Sequence, residues 1–464
     1  MKREMTKKIV FIAVLMLLLM IPLSMIEGVV NERSYYRTEA RNSIADSWTG
    51  QQRVLGPLLV LPYHEFRNEK IWNKELKKYE TKVQRYEREI YLTPETLKIK
   101  TAVVTDERSR GIYTIPVYTS EMSVSGSFTR QRITETVAQS EGRIKWLEPR
   151  LSVVISDTRG VVEPPVLKWK NSSVEFTPGA RLGSLKTGIH AMLNKLDSTN
   201  TPLDFSFKIK LRGMETLQFS PVGKHTDVSV NADWPHPSFI GRYLPDERTI
   251  DEKHFDAHWS VSSFSSSMPQ LVSECEQGNC NEFMENTFGV TLFNSVDIYQ
   301  QSERSVKYAM LFVTLGFVAF FLFEIIKGLR LHPMQYLLMG LGLSVFYLLL
   351  ISLSEHIAFP LAYLTAALAS TAVIGFYLSG VLRSVRHSLG FSTTLLSLYA
   401  MLFSILRSED NSLLMGALLI FAVLSLVMVV TRRFDWYVIG EQVQQQIDNR
   451  AKDKLPEALI PDSE

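Results

Sequence analysis

Residues 9–26 read IVFIAVLMLLLMIPLSMI, an uninterrupted apolar run that follows four basic residues near the start of the chain. At about 1.5 Å per residue, these 18 residues form a helix of roughly 27 Å, which is long enough to cross the hydrocarbon core of a bilayer. A cleaved secretory signal peptide is the alternative, but the run is long for one and lacks a small-residue cleavage site after it. We therefore predict an uncleaved signal anchor, with residues 1–27 forming a cytoplasmic N-terminus and the first membrane span.

The second apolar region, residues 306–431, is predicted to be a bundle of five further membrane helices. These helices are expected at residues 308–326, 334–353, 357–379, 391–406 and 413–430. Basic residues concentrate in cytoplasmic loops, and here they occur in alternate short loops, for example at Lys327 and Arg432. Both termini are therefore predicted to be cytoplasmic, with residues 432–464 as a cytoplasmic tail and residues 28–305 in the periplasm.

The insert at residues 28–305 has the composition of a folded domain, because it holds six of the seven tryptophans of the chain. Residues 203–211, LDFSFKIKL, alternate apolar and polar side chains, which predicts a half-buried antiparallel strand. Comparable patterns occur at residues 98–104, 112–118, 122–128, 151–156, 217–219 and 226–230. The predicted fold class is an α+β membrane protein, in which a large β-rich extracytoplasmic domain is inserted between the first and second of six transmembrane helices.

Three segments of the insert depart from the strand pattern. Helical periodicity is clear at residues 31–48 and weak at residues 187–196, and we expect helices there. Residues 64–90 are rich in Lys, Glu and Tyr, which is typical of either a charged hairpin or a solvated helix. A charged run of this kind usually forms a solvent-exposed face, which is the preferred interpretation.

The composition of the whole chain excludes several classes of protein. The chain has 464 residues, of which 46% are hydrophobic and 21% charged, and its formal net charge is +2. It is too apolar for a disordered protein and too neutral for a nucleic-acid-binding protein, so no nucleic acid partner is expected. The sequence lacks the nucleophile-elbow, phosphate-loop and dinucleotide-binding motifs. We therefore predict no enzymatic activity, no catalytic residue, no cofactor and no metal.

Cys275 and Cys280 are the only cysteines of the chain, and they lie in the segment assigned to the oxidising side of the membrane. A disulfide that fixes a local loop is the preferred interpretation. The alternatives are two free thiols or a metal site completed by His254 and His258. The metal site is disfavoured because these spacings differ from those of common zinc sites.

Four ionisable residues in or beside the predicted spans are candidate functional residues, because charged groups are costly inside a membrane. They are Glu324, His332, Glu355 and His356. Glu324 lies near the cytoplasmic end of the second span and is either functional or an interfacial residue that reaches water or Lys327. Glu355 and His356 form an outer turn, where they either sense pH or contact a partner, or cap the helix pair. His332 marks the start of the third span.

Seven short segments of the sequence carry a resemblance to a known family. They are KYAMLF at 307–312, FFLFE at 320–324, HPMQY at 332–336, FYLLLISLSEH at 346–356, RVLGP at 53–57, RGIYTIPVY at 110–118 and FDWY at 434–437. Together they resemble the CreD inner-membrane protein family over nearly the whole chain, most specifically in residues 307–363. The resemblance implies a Gram-negative inner-membrane protein of a two-component stress regulon, linked to envelope integrity, tolerance to a DNase-type colicin and the response to β-lactams. It implies no catalytic residues and assigns no role to the four ionisable residues.

These observations favour a non-catalytic envelope protein over two alternatives. In this interpretation the β-rich domain binds another envelope component, which is a protein, a glycan or a lipid, while the spans hold the chain in the lipid bilayer. The first alternative is a transporter or lipid-handling protein that uses Glu324 and the turn at Glu355 and His356. The second is an envelope hydrolase, which only the size of the insert and its scattered acidic residues favour.

Overall fold

The computed structural model describes residues 2–74, 78–140, 142–170, 172–194, 203–292, 298–327, 331–382, 384–407 and 412–432. The chain divides into two compact units, one formed by Met1–Tyr36 with Val296–Glu464 and the other by Arg37–Ser295. Each unit has its own large hydrophobic core. The second unit begins at residue 37 and ends at residue 295, inside the limits of 28 and 305 that the sequence predicts for the insert.

The first helix, α1, runs from Lys2 to Ser47 and contains the apolar run at residues 9–26. Pro22 lies inside this helix without ending it, as is common for proline in helices that cross membranes. The helix expected at residues 31–48 is therefore the continuation of α1, not a separate element.

Besides the end of α1 and a 3-10 turn at Thr158–Gly160, the described residues of the unit Arg37–Ser295 form seventeen strands and four short α-helices. The strands are β1 (Gln52–Asn73), β2 (Lys78–Leu92), β3 (Thr96–Arg110), β4 (Tyr113–Phe128), β5 (Arg143–Trp146), β6 (Arg150–Ile155), β7 (Val166–Trp169), β8 (Ser172–Glu175), β9 (Thr177–Pro178), β10 (Gly188–Met192), β11 (Leu203–Met214), β12 (Thr216–Phe219), β13 (His225–Ala232), β14 (Pro237–Gly241), β15 (Glu247–Ile250), β16 (Phe255–Ser262) and β17 (Phe288–Leu292). The helices are α2 (Gln131–Gln139), α3 (Ser263–Ser266), α4 (Met268–Glu276) and α5 (Asn281–Glu285).

The strands form two mixed sheets that bury one face each in a common core. The nine-stranded sheet has the order β14–β17–β12–β1–β6–β10–β9, with β2 and β5 also paired to β1. The eight-stranded sheet has the order β15–β16–β13–β3–β4–β11–β7–β8. One buried cluster takes side chains from both sheets, including Leu59 and Phe219 of the first and Phe207 and Trp259 of the second. The predicted β-rich domain is thus confirmed.

Strand β11 follows the alternation that the sequence predicts for residues 203–211. Its odd-numbered side chains from Leu203 to Leu211 are all buried, and the side chains between them are exposed or half-buried. Residues 64–73 and 78–90 pair as strands β1 and β2, so the hairpin alternative is correct and the helix alternative is wrong.

The helix expected at residues 187–196 is wrong, because residues Gly188–Met192 form strand β10. This strand pairs with β6 on one side and with β9 on the other. The side chains of Ile189 and Ala191 are buried in the core of the unit. Packing within the sheet therefore overrides the weak helical periodicity.

The other unit contains α1 as far as Tyr36 and six helices that follow the β-rich unit in sequence. They are α6 (Ile298–Lys307), α7 (Ala309–Lys327), α8 (Pro333–Ser354), α9 (Phe359–Leu382), α10 (Val385–Arg407) and α11 (Ser412–Thr431). Helix α10 begins six residues before the predicted start at residue 391, because its first turn includes polar residues that a hydropathy pattern does not count.

Four helices in the described part of the chain are long and apolar enough to cross a membrane. They are Val10–Ser47, Pro333–Ser354, Phe359–Leu382 and Val385–Arg407. Helices α6 and α7 meet at an angle of 47° and together give a fifth candidate, whereas Leu414–Val429 is apolar but shorter. The structure supports four or five spans, and the count of six stays a prediction.

Small and polar side chains bring α8, α9 and α10 close together. The Oγ of Ser370 in α9 donates to the carbonyl oxygen of Gly342 in α8 at 3.1 Å and accepts from the hydroxyl of Tyr399 in α10 at 3.1 Å. Ala362 and Ala366 lie on the same face of α9 and are fully buried. Such residues allow helix backbones to approach one another and supply hydrogen bonds inside a membrane.

Candidate functional site

A groove of about 870 Å³ lies on the outer face of the eight-stranded sheet. It crosses the central strands from β15 to β11 and is bounded on one side by residues 163–166. Successive side chains of a strand point to opposite faces of a sheet. In β3, Leu97 and Ile99 therefore face the core, while Lys98 and Lys100 face outward and are exposed. The same alternation in the neighbouring strands lines the groove with polar side chains.

The strand register aligns these outward side chains in rows across the sheet. One row runs from β16 to β11 through His258, Ser229, Lys100, Ser123 and Lys208. The adjacent row runs through Asp256, Asn231, Ala102, Glu121 and Lys210. The lysines of the groove lie on β3 and β11, and Arg248 lies on β15. The acidic residues are divided between the two sides, with Glu247 and Asp256 on β15 and β16, Glu121 on β4 and Glu163 before β7.

Hydrogen bonds fix the half of the groove formed by β13 and β16. The Nδ2 of Asn231 donates to Oδ1 of Asp256 at 2.7 Å. The Oγ of Ser229 lies 3.2 Å from Nδ1 of His258. On the other half, Nζ of Lys210 pairs with Oε1 of Glu121 at 3.3 Å.

Ser229 and His258 have the separation of a nucleophile and its base but lack the other parts of a hydrolytic site. In the part of the chain that the structure describes, no carboxylate forms an ion pair with His258. Strand β13 is paired on both sides, so its backbone N–H groups are used in the sheet and do not form an oxyanion hole. The arrangement presents hydrogen-bonding groups to a polar ligand.

The residues that line the groove also restrict the kind of ligand it accepts. They include no Phe, Tyr or Trp, and the large apolar side chains among them belong mostly to the core face of the sheet. An apolar ligand would bury little surface there. The groove therefore fits an extended ligand that forms hydrogen bonds and ion pairs.

Glu65 lies in β1, in the nine-stranded sheet, and is buried. Three side chains contact its carboxylate. It accepts from Oγ of Ser140 at 3.0 Å and pairs with Nε of Arg67 at 2.9 Å and Nε of Arg88 at 3.2 Å. Burial alone would raise the pKa of Glu65, but the hydrogen bonds from Arg67 and Ser140 and the charges of both arginines hold the pKa below its usual value. Glu65 is thus a charged structural anchor of the hairpin.

His190 is a second buried titratable group of this unit. Its Nδ1 lies 2.6 Å from the carbonyl oxygen of Gly179, which only accepts, so Nδ1 carries the proton. Its Nε2 lies 3.1 Å from Oγ1 of Thr177. Burial lowers the pKa of His190, and the neutral ring satisfies both neighbours.

Glu324 in α7 is buried and joins two helices of the other unit. Its Oε2 accepts from the hydroxyl of Tyr336 in α8 at 2.7 Å, and its Oε1 accepts from the backbone N–H of Leu331 at 3.0 Å. The side chain of Glu324 is only 6% exposed, and the predicted contact with Lys327 lies outside the described side chains. Its carboxyl group holds the start of α8 against the end of α7.

The other three candidate residues lie at the ends of α8. His332 caps the first turn: its Nδ1 accepts from the backbone N–H of Met334 at 3.2 Å, and its own N–H donates to Gln335. Glu355 caps the other end and lies 3.5 Å from Nε of Arg33 in α1. His356 is exposed beside it. The structure therefore places His332 and Glu324 near one end of α8 and Glu355 with His356 at the other.

Cys275 and Cys280 are joined by a disulfide between α4 and α5, with their Cα atoms 4.1 Å apart. The two sulfur atoms are therefore not available as metal ligands. Nε2 of His254 lies 3.0 Å from Oδ2 of Asp251. Among the described residues, no group of three or more His, Cys, Asp or Glu side chains is placed to hold a metal ion. Both sulfurs lie in the hydrophobic core of the β-rich unit.

The groove was not predicted from the sequence, in which His258 is a candidate only for the disfavoured metal site. The available signal is the alternation itself, which shows that Lys98, Lys100, Lys208 and Lys210 point away from the core. The pairing order of the strands, which places them side by side, is not visible in that pattern.

Comparison with known proteins agrees with the apolar helices of this chain. The profile of the CreD family, described as Inner membrane protein CreD, matches residues 4–437. Inner membrane protein CreD of Escherichia coli (strain K12) is 32% identical over 424 residues, which cover 91% of this chain and 92% of that protein. A solved structure of a candidate nutrient binding protein from Legionella pneumophila covers 47% of this chain and 82% of its own at 6% identity, but its TM-score of 0.24 is too low to support an argument. With several apolar helices and a match over nearly its whole length, the chain belongs to the CreD family of multi-pass inner-membrane proteins.

Proposed function

We propose that this protein is a non-catalytic inner-membrane protein that supports the integrity of the cell envelope and its stress response, including colicin tolerance and the β-lactam response. It acts by binding another envelope component through the β-rich unit, and the lipid bilayer is the partner of its apolar helices. The observation that carries this proposal is the polar groove of about 870 Å³ on the eight-stranded sheet. The size of this groove and its hydrogen-bonding and charged side chains support a role in binding.

The topology that accompanies this function has six spans, both termini in the cytoplasm and residues 28–305 in the periplasm. The alternation of basic loops supports this orientation. The disulfide supports an oxidising compartment for the β-rich unit. An engineered cysteine at exposed Ile112 tests this orientation. We expect a membrane-impermeant thiol reagent to label it in intact cells. Labelling only after lysis would contradict the periplasmic location of the β-rich unit.

Photo-crosslinking in intact cells tests the binding role of the groove. A photoreactive amino acid at Ser123 or Asn231 places the probe inside the groove, and the same probe at Ile112, which is 50% exposed on a turn far along the β3–β4 hairpin, is the matched control. We expect a discrete adduct from the groove positions and none from the control. Normal protein levels with no adduct from either groove position would contradict the proposal.

A deletion strain provides a functional readout for the same proposal. We expect loss of the protein to increase sensitivity to detergent and to alter colicin tolerance, and the wild-type chain to reverse both effects. A chain with Lys100→Glu and Lys208→Glu should accumulate normally without reversing them. Full complementation by this variant would show that the groove has no part in the function.

The geometry of Glu324 does not favour the transporter or lipid-handling alternative. Its carboxyl oxygens are engaged by Tyr336 and by the backbone of Leu331, as expected for a group that positions helices. We propose a structural role for Glu324 and for the pair formed by Glu355 and Arg33. Substitutions at Glu324 and Glu355 should therefore lower the stability of the protein rather than abolish a transport activity at normal stability.

A further inference from the structure

We propose that the groove binds a glycan that carries carboxylate groups, through a set of lysine and serine side chains on β3, β4, β11 and β7. This lysine–serine patch consists of Lys100, Ser123 and Lys208, which line the groove, and of an adjoining row outside its lining, formed by Lys98, Ser125, Ser206 and Lys168. The inference rests on the proposed function, in which the groove is the binding surface, and it names the chemical class of the ligand.

The register of the strands places lysines on either side of serines. Lys100 lies opposite Ser123, which lies opposite Lys208. The neighbouring row runs through Lys98, Ser125, Ser206 and Lys168. Adjacent strands are about 4.8 Å apart, so Lys100 and Lys208 are separated by about 9.6 Å with a hydroxyl between them. An anionic group over Ser123 would lie within reach of both amino groups.

The lysines of the patch have no counter-ions of their own. Among the described residues, no carboxylate lies within 4.0 Å of the amino groups of Lys98, Lys100, Lys168 or Lys208. Asp227 is opposite Lys98 on β13 without forming an ion pair, whereas Lys210, at the edge of the patch, is paired with Glu121. Like charges on one face of a sheet repel each other. A ligand with negative groups would remove this repulsion.

The neutral groups of the patch favour a hydroxyl-rich ligand. All three are serines, whose hydroxyls both donate and accept hydrogen bonds. The lining lacks aromatic rings, which disfavours acyl chains and apolar peptides. Lysine amino groups attract anionic groups and serine hydroxyls bond to hydroxyl groups, and together they fit an anionic glycan.

The test uses the full chain in nanodiscs of phosphatidylcholine, whose zwitterionic headgroups do not compete for the lysines. Fluorescently labelled alginate oligosaccharides supply carboxylates on a glycan, dextran oligosaccharides of equal length supply hydroxyls alone, and poly-L-glutamate supplies carboxylates on a peptide. We expect alginate to bind at least tenfold more tightly than either of the others. The binding should weaken as the ionic strength rises, because the charges of the patch are exposed.

Matched double variants locate the binding site. Lys100→Gln with Lys208→Gln should weaken alginate binding about tenfold, which corresponds to the loss of two exposed charge-assisted hydrogen bonds. Lys82→Gln with Lys145→Gln removes the same charge from exposed positions on β2 and β5 of the other sheet and should change the affinity less than twofold. Equal unfolding midpoints for the two variants establish that both are folded.

Three outcomes would overturn the inference. They are equal effects of the two double variants, equal binding of poly-L-glutamate and alginate, and no binding of alginate at low ionic strength. If any of them occurs while photo-crosslinking from Ser123 still gives an adduct, the groove binds a ligand of another class. The proposed function would then stand without this inference.

Discussion

Replacing Tyr336 by Phe removes one hydroxyl group from the helix bundle and leaves the aromatic ring in place. That hydroxyl donates to Oε2 of buried Glu324 at 2.7 Å. Hydrogen bonds to charged groups contribute about 1.5–3 kcal/mol in soluble proteins. Measured values inside membranes average about 0.6 and reach about 1.7 kcal/mol. Glu324 keeps the backbone N–H of Leu331 as a donor, so we expect Tyr336→Phe to lower the free energy of unfolding by about 1–2 kcal/mol.

Tyr347 offers a matched control in the same helix. Its side chain is as fully buried as that of Tyr336. Its hydroxyl has no hydrogen-bond partner among the described residues. Tyr347→Phe therefore removes the same atom without breaking a bond, and it should leave the stability unchanged or raise it slightly.

The disulfide of the β-rich unit makes a sensitive assay possible. Because Cys275 and Cys280 are bonded to each other, Ser344→Cys introduces a single free thiol. The two side chains are similar in size, and Ser344 is only 2% exposed in α8. The rate at which a thiol reagent labels this position, measured against the mole fraction of SDS, reports the opening of the bundle. Both Phe variants are compared in this background. Equal labelling midpoints for Tyr336→Phe and Tyr347→Phe would refute the assignment of Glu324 as a helix-positioning residue.

Three further predictions concern the β-rich unit. Burial lowers the pKa of His190, so the unfolded chain takes up a proton near pH 6.5 more readily than the folded chain does. The stability of the folded protein should therefore fall as the pH drops below about 6.5. Thermal unfolding between about pH 7 and pH 5 should show this dependence, and His190→Gln should flatten it. Removing the disulfide with Cys275→Ser and Cys280→Ser should lower stability by about 2 kcal/mol in calorimetry, because the closed loop is short. Gly213→Ala would place a methyl group against the hydroxyl of fully buried Tyr118 and should cost about 1–3 kcal/mol in urea titration, whereas unchanged stability would contradict this packing.

The membrane helices and many of the strands are predictable because their patterns are local. A bilayer selects contiguous apolar residues, so the run at residues 9–26 identifies the first helix without any knowledge of its neighbours. A half-buried strand shows its alternation within a few residues, as at residues 203–211. Strand β10 has no such pattern, because side chains on both of its faces are buried, while β6 and β9 pair with its two edges. Its identity depends on partners that lie far away in the sequence.

The candidate site is less predictable than the strands that form it, because it depends on the order in which those strands pair. The sequence pattern shows that Lys100 and Lys208 both face away from the core, but 108 positions separate them. They share a row only because β4 lies between β3 and β11 in the sheet. Ser229 joins the same row through the parallel pairing of β13 with β3, which no hairpin connection requires. A different order of the same strands would keep the alternation of each strand and its buried face. It would also separate the lysines from one another. The binding chemistry of the groove therefore depends on the topology of the sheet.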